Sequence, residues 1–161
     1  MSLKVFSSVY LDALAAEAAV SPRRRQHRNI HEEYGDPCQR LFNAIEPESY
    51  IRPHRHGAVP RDETMMAVRG VMVLFTFDDE GHVVDMVRFG VCGDEDVAAG
   101  VEIPAGCWHT VVALEPGSVL LELKAGPFDP EQPKEMAPWA PEDGSAEAGA
   151  YLRGLVEMVG G

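Results

Sequence analysis

Cysteine, basic side chains and long apolar runs are all scarce in this sequence, and each shortage removes a class of protein. Three cysteines, Cys38, Cys92 and Cys107, are too few and too scattered for a disulfide framework or a CxxC zinc site, so they read as buried free thiols. No apolar run approaches the roughly 18 to 20 residues that cross a bilayer. The opening segment MSLKVFSSVYLDALAAEAAV lacks the basic segment, continuous apolar stretch and cleavage site of a secretion signal, which predicts a cytoplasmic protein. Lys and Arg number 14 against 26 Asp and Glu, and the net charge of −12 repels nucleic acid phosphates and anionic lipid headgroups. Neither nucleic acid nor a membrane is an expected partner. The exception to the acidic background is RRRQHRN, residues 23 to 29, which reads as a solvated face or as an attractor for a small anion.

The 161 residues suffice for one domain with its own core. Residues 1–37 divide into a helix and a basic loop, with Val9, Leu11, Leu14 and Ala18 on one helical side and an end near Ser21-Pro22. Residues 38–126 change to short apolar runs: CQRLFNAI, TMMAVRG, VMVLFTFD, VVDMVRFG, GVEIP, WHTVVALE and SVLLELK. Turn signals at DDEG (78–81) and EPG (115–117) predict hairpins. Many short strands without helices between them point to an antiparallel sandwich or barrel. Residues 127–161 begin with PFDPEQPKEMAPWAP, whose prolines keep it out of a sheet ladder and predict an extended surface crossing anchored by Trp139. A final helix is expected, capped by Asp143 or Ser145, with Tyr151, Leu152, Leu155, Val156 and Val159 on one stripe.

The stretch RPHRHGAVPRDE carries the chemistry. On an extended strand His54 and His56 point to the same face, where two imidazoles can grip a metal ion. Glu63 follows His56 after six residues, and downstream PAGCWHT places His109 just beyond a Pro104–Gly106 turn signal. This arrangement resembles the two motifs of the cupin superfamily. RNIH, QRLFNAIEPESYIRPHRH, LELKAGPF and MAPWAPE resemble, more closely, the WbuC-type cupin metalloproteins encoded among genes for surface polysaccharide synthesis. The resemblance implies an all-β double-stranded β-helix, the cupin jelly-roll barrel, with a helix at each end. It further implies one metal held by His54, His56, Glu63 and His109, with Asp62 in place of Glu63 if the loop after His56 shifts the register by one, and pairing into a homodimer. Three imidazoles and a carboxylate suit Fe, Mn, Ni or Zn and leave positions open for a substrate.

Polar residues that interrupt the strands are candidate ligand contacts: Arg40, Asn43, Tyr50, Glu122 and Lys124. Glu122 and Lys124 share a strand face, turned either inward or to solvent. The resemblance brings Arg28, Asn29 and His31 to the barrel mouth. Such a set suits an anionic, oxygen-rich small molecule, a sugar acid or sugar nucleotide. The expected function is a metal-dependent enzyme of the isomerase or oxygenase type, acting on a sugar-related molecule in surface polysaccharide metabolism. The alternative is a non-catalytic module that binds a carbohydrate or small acid around a structural metal. Cys107, beside Trp108, reads as a packed thiol rather than a nucleophile.

Overall fold

Leu11, Leu14 and Ala18 recur at helical spacing, and in the computed structural model, which describes residues 3–56, 60–91, 97–131 and 134–160, they are the buried residues of helix α1, Ser8–Val20. Ser7 caps it by accepting a hydrogen bond from the Tyr10 amide. Val9 was expected on the apolar face but is 74% exposed, because two residues before Leu11 lies about 200° around the helix. The basic run is not a loop: Arg25–Asn29 forms strand β1, paired antiparallel with β2, Cys38–Ile45.

The remaining strands are β3 (His54–Arg55), β4 (Glu63–Arg69), β5 (Val71–Phe77), β6 (Val83–Gly90), β7 (Gly100–Ile103), β8 (Trp108–Ala113), β9 (Ser118–Ala125) and β10 (Glu135–Met136). They build two five-stranded antiparallel sheets, ordered β1-β2-β9-β4-β7 and β10-β3-β8-β5-β6. Between the sheets, Met65, Ile103 and Leu120 of the first meet Met72, Leu74 and Val111 of the second. The outer faces are covered as well. Helix α1 packs on Phe42, Ala44 and Val119, while Leu152 and Leu155 of helix α2, Ala148–Val159, pack with Val73, Phe75 and Val112. Strands covered on both sides read as continuous apolar runs, which is why VMVLFTF shows no alternation and all six residues of β8 are buried.

Several expectations shift for physical reasons. DDEG does close the β5–β6 hairpin, but EPG joins β8 to β9 in the opposite sheet, so it is an arch. There Gly117 takes a left-handed φ of 69° and its amide donates to Glu46. The proline-rich crossing does enter a ladder, through its proline-free pair Glu135 and Met136 opposite Arg55 and His54. Trp139 anchors it against Phe77, 5.0 Å away between ring centroids. Neither Asp143 nor Ser145 caps α2; the N-cap position is Glu147, and Asp143 instead accepts from Arg23 and Arg25. Cys38 is exposed and Cys107 partly buried, whereas Cys92 lies outside the described residues. No described helix is long and apolar enough to cross a membrane.

Candidate metal centre and cavity

Strand register assembles the centre. His54 on β3 lies directly opposite His109 on β8, with ring centroids 4.5 Å apart. His56, two residues on, returns to the same side, 5.6 Å from His54 and 6.0 Å from His109. The facing sheet contributes Glu63, the first residue of β4, whose Oε2 is 2.8 Å from His56 Nε2 and 4.0 Å from His109 Nε2. One ligand nitrogen from each histidine lies within 4.8 Å of the other two. Asp62 takes no part: its Oδ1 accepts from the Ala105 amide instead.

Hydrogen bonds decide which ring nitrogen faces inward. His54 Nδ1 is 3.0 Å from the Arg52 carbonyl, and His109 Nδ1 is 2.9 Å from the Cys107 carbonyl. A carbonyl only accepts, so each Nδ1 carries the proton and each Nε2 keeps its lone pair for a cation. His56 Nε2, Glu63 Oε2 and His109 Nε2 are enclosed, and although the first two approach each other to 2.8 Å none of the three makes a hydrogen bond of good geometry. Polar atoms orphaned in this way cost on the order of 1–3 kcal/mol each, a penalty that a shared cation would remove. The donor set therefore fits a divalent transition metal, and its mixture of imidazole and carboxylate excludes none of Fe, Mn, Ni and Zn.

Burial keeps His54 and His109 in the neutral form that can bind a cation. It lowers the pKa of His54 far below the ordinary value, helped by the nearby charge of Lys134, and lowers that of His109. Burial alone would raise the Glu63 carboxyl. The contact with His56 and the charges of Lys124 and His109 outweigh it and hold Glu63 well below the usual carboxylate range. Lys124 faces Glu63 across the β4–β9 ladder, with Nζ 3.7 Å from Glu63 Oε2 and 2.5 Å from Glu122 Oε1. Glu122 and Lys124 thus turn inward, their side chains only 13% and 17% exposed. Burial and the charge of Glu63 raise the Glu122 carboxyl; Glu122 and Glu63 keep Lys124 protonated against its own burial.

Above these groups lies a cavity of about 560 Å³. The inner face of β2 and β9 supplies Leu41, Asn43, Leu120, Glu122 and Lys124, and the ligand side chains line it as well. Of the other sequence candidates, none lines the cavity. Arg40 alternates to the outer side of β2 and pairs with Asp36 at 3.0 Å. Arg28 binds Glu17 and lies over the Tyr10 ring, Asn29 is exposed at the end of β1, and His31 Nδ1 meets the Arg40 backbone. Tyr50 is buried beside α2 and donates to the Pro141 carbonyl. In their place stand Arg25 and His27 of β1 and Lys134 of the crossing. Period-two spacing inside the basic run could have singled out Arg25 and His27; Lys134 gave no signal.

The family model described as domain of unknown function DUF6016 matches residues 6–89. A search of curated proteins finds no match. Among solved structures, KdgF from Halomonas sp. is 20% identical, with 70% of this chain and 86% of that one covered at a TM-score of 0.50. The capsular polysaccharide assembling protein CapF from Staphylococcus aureus is 23% identical, with 73% of this chain and 32% of that one covered at 0.55. An oxalate oxidase in complex with glycolate is 11% identical, with 74% and 58% covered at 0.53. At these identities the likenesses show the fold alone: two facing antiparallel sheets, here with a buried cluster of histidines and a glutamate able to coordinate a metal ion.

Proposed function

We propose that this chain, which belongs to the DUF6016 family, is a metal-dependent enzyme acting on a small, polar, sugar-related acid. The observation that carries the reading is the convergence of orphaned nitrogen and oxygen atoms from His56, Glu63 and His109, beside His54, in the wall of the cavity. In this reading His54, His56, Glu63 and His109 are the metal ligands, and Asn43 and Lys124 contact the substrate. A divalent ion held there would polarise a substrate oxygen. The chain's own contribution lies in Lys124 and Glu122. Their short contact sets a proton donor and acceptor side by side on the cavity wall, and Glu122, its carboxyl raised by burial and by the charge of Glu63, is the group able to take up and return a proton.

An isomerase or an oxygenase would use this equipment equally. A role in surface polysaccharide metabolism is supported by the likeness of the sequence to WbuC-type cupins and by the shared fold of CapF, and an acidic substrate by the oxidase fold that accommodates glycolate. The competing reading, a binding module around a structural ion, is disfavoured by the proton-carrying pair, which binding alone does not require. Incubation of metal-loaded protein with sugar acids and sugar nucleotides, with and without dioxygen, separates the cases. Mass spectrometry should show a changed product; saturable binding with no product after prolonged incubation would overturn the enzyme reading.

A further inference from the structure

Direct partners in the cavity are unevenly shared. The two carboxylates that line it, Glu63 and Glu122, share Lys124, and Arg25, largely buried, is taken up by Asp143 at 3.2 Å and by the Tyr50 carbonyl at 2.7 Å. Lys134 is different. It lines the same cavity, close enough to bias His54 and His109 electrostatically, yet among the described residues it makes neither a hydrogen bond nor an ion pair. Burial of this ammonium outweighs the attraction of Glu122 and Glu63 and lowers its pKa, so a partner in direct contact would be favourable. Its position is nevertheless enforced. Arg55 grips Glu135 at 2.8 and 3.0 Å and stacks over Trp108, and Arg52 donates to the Ala137 carbonyl at 2.8 and 3.2 Å. The β10 ladder sets Met136 opposite His54, so Lys134, two residues earlier, comes to the side of the metal centre.

A second group is equally idle. Asn43, on the inner face of β2, has its Oδ1 enclosed without a hydrogen-bond partner, and its amide also lines the cavity. An open acceptor requires a donor, and a hydroxyl supplies one.

Resting on the metal-centre reading above, we propose that Lys134 is the specificity-determining residue for a hydroxy acid: its ammonium pairs the ligand carboxylate, Asn43 receives a ligand hydroxyl, and a further ligand oxygen faces the histidines. One ammonium and one amide match a single negative charge. A phosphate dianion would call for additional guanidinium donors, and the two on this wall, Arg23 and Arg25, are already held by Asp143.

The test is calorimetric titration of zinc-loaded wild-type protein and of Lys134→Met and Lys134→Arg with D-glucuronate, D-glucose and D-glucose 6-phosphate, with metal content measured on each protein. Wild type should bind glucuronate in preference to both other probes. Lys134→Met should lose about tenfold or more in glucuronate affinity, corresponding to roughly 1.4 kcal/mol, with its bound zinc and glucose affinity unchanged. Lys134→Arg should retain the acid preference. Lys134→Met should also melt higher than wild type in the absence of ligand, since it removes an ammonium whose burial outweighs the attraction of Glu122 and Glu63, an outcome that a merely structural lysine would not give. Equal glucuronate affinity in wild type and Lys134→Met, no binding of glucuronate by wild type up to about 10 mM, or tighter binding of the phosphate would each overturn the proposal. Absence of bound zinc in wild type would instead overturn the metal-centre reading, a failure visible before any titration.

Discussion

The centre works residue by residue because His54 and His109 have each been left one useful nitrogen. With Nδ1 committed to a carbonyl, His54 and His109 can offer only Nε2, and burial removes the competing proton. Replacing His109 by Ala should lower bound metal at least tenfold at sub-saturating concentration while leaving circular dichroism close to wild type, since the sheets carry their own apolar core. Full occupancy in that variant, measured by plasma mass spectrometry, would remove His109 from the ligand set. Acid sensitivity follows from the same burial. The unfolded chain takes up protons on histidine as pH falls through 6.5, whereas buried His54 and His109 resist them, so the unfolded state binds more protons and stability declines as pH drops below that value. Glu63 adds to the decline at lower pH: its depressed pKa gives stability that is present above 4.5 and disappears as pH falls through the folded value. Denaturation of metal-free protein should therefore show a midpoint that decreases from about pH 6.5 downward, and His54→Gln should flatten the slope; a profile already flat in wild type would contradict it.

At the level of elements, the crossing after Gly126 is the least predictable piece and the one that completes the cavity. Proline content argued against any sheet pairing there, yet two residues without proline are enough to form β10, because Arg52 and Arg55 of the neighbouring segment bind the crossing's side chains and carbonyls. Arg55→Ala should raise hydrogen exchange at the Ala137 amide, which donates to the Pro53 carbonyl, without changing exchange in the β5–β6 hairpin. If both regions respond alike, the arginine supports the whole fold rather than the crossing. Where the crossing starts, Gly126 donates its amide to Pro37, and a Cβ at this position would collide with the Asp36 carbonyl oxygen. Gly126→Ala should thus cost about 1–3 kcal/mol in chemical denaturation.

Considered as a whole molecule, two sheets each contribute part of one centre, so an ion bound between them ties the sheets together. Adding Zn, Mn, Ni or Fe(II) to chelator-treated protein should raise the melting temperature, by an amount equivalent to about 2.7 kcal/mol at a hundredfold excess over Kd, and chelator should reverse it. The absence of any shift with all four metals would refute a functional centre. Much of this architecture could be read from local pattern. The strand periodicity of CQRLFNAI, the hairpin at DDEG and the alternation of His54 and His56 depend on neighbours in the chain, and backbone sterics and side-chain alternation act at that range. Partner choice across the fold could not be read there. The EPG turn looked like a hairpin until β8 and β9 fell into opposite sheets; Arg40 and Asn43 both looked like ligand contacts until the register of β2 sent one outward and one inward; and Lys134 became part of the cavity only through pairing with a distant strand. Sequence by itself determined the two helices, most strands between Cys38 and Ala125 and the kinds of atom available to a metal, because those follow from local geometry and chemistry. Tertiary structure alone decided which of those atoms meet, since that depends on long-range register, in which a shift of one residue exchanges the cavity face for the opposite one.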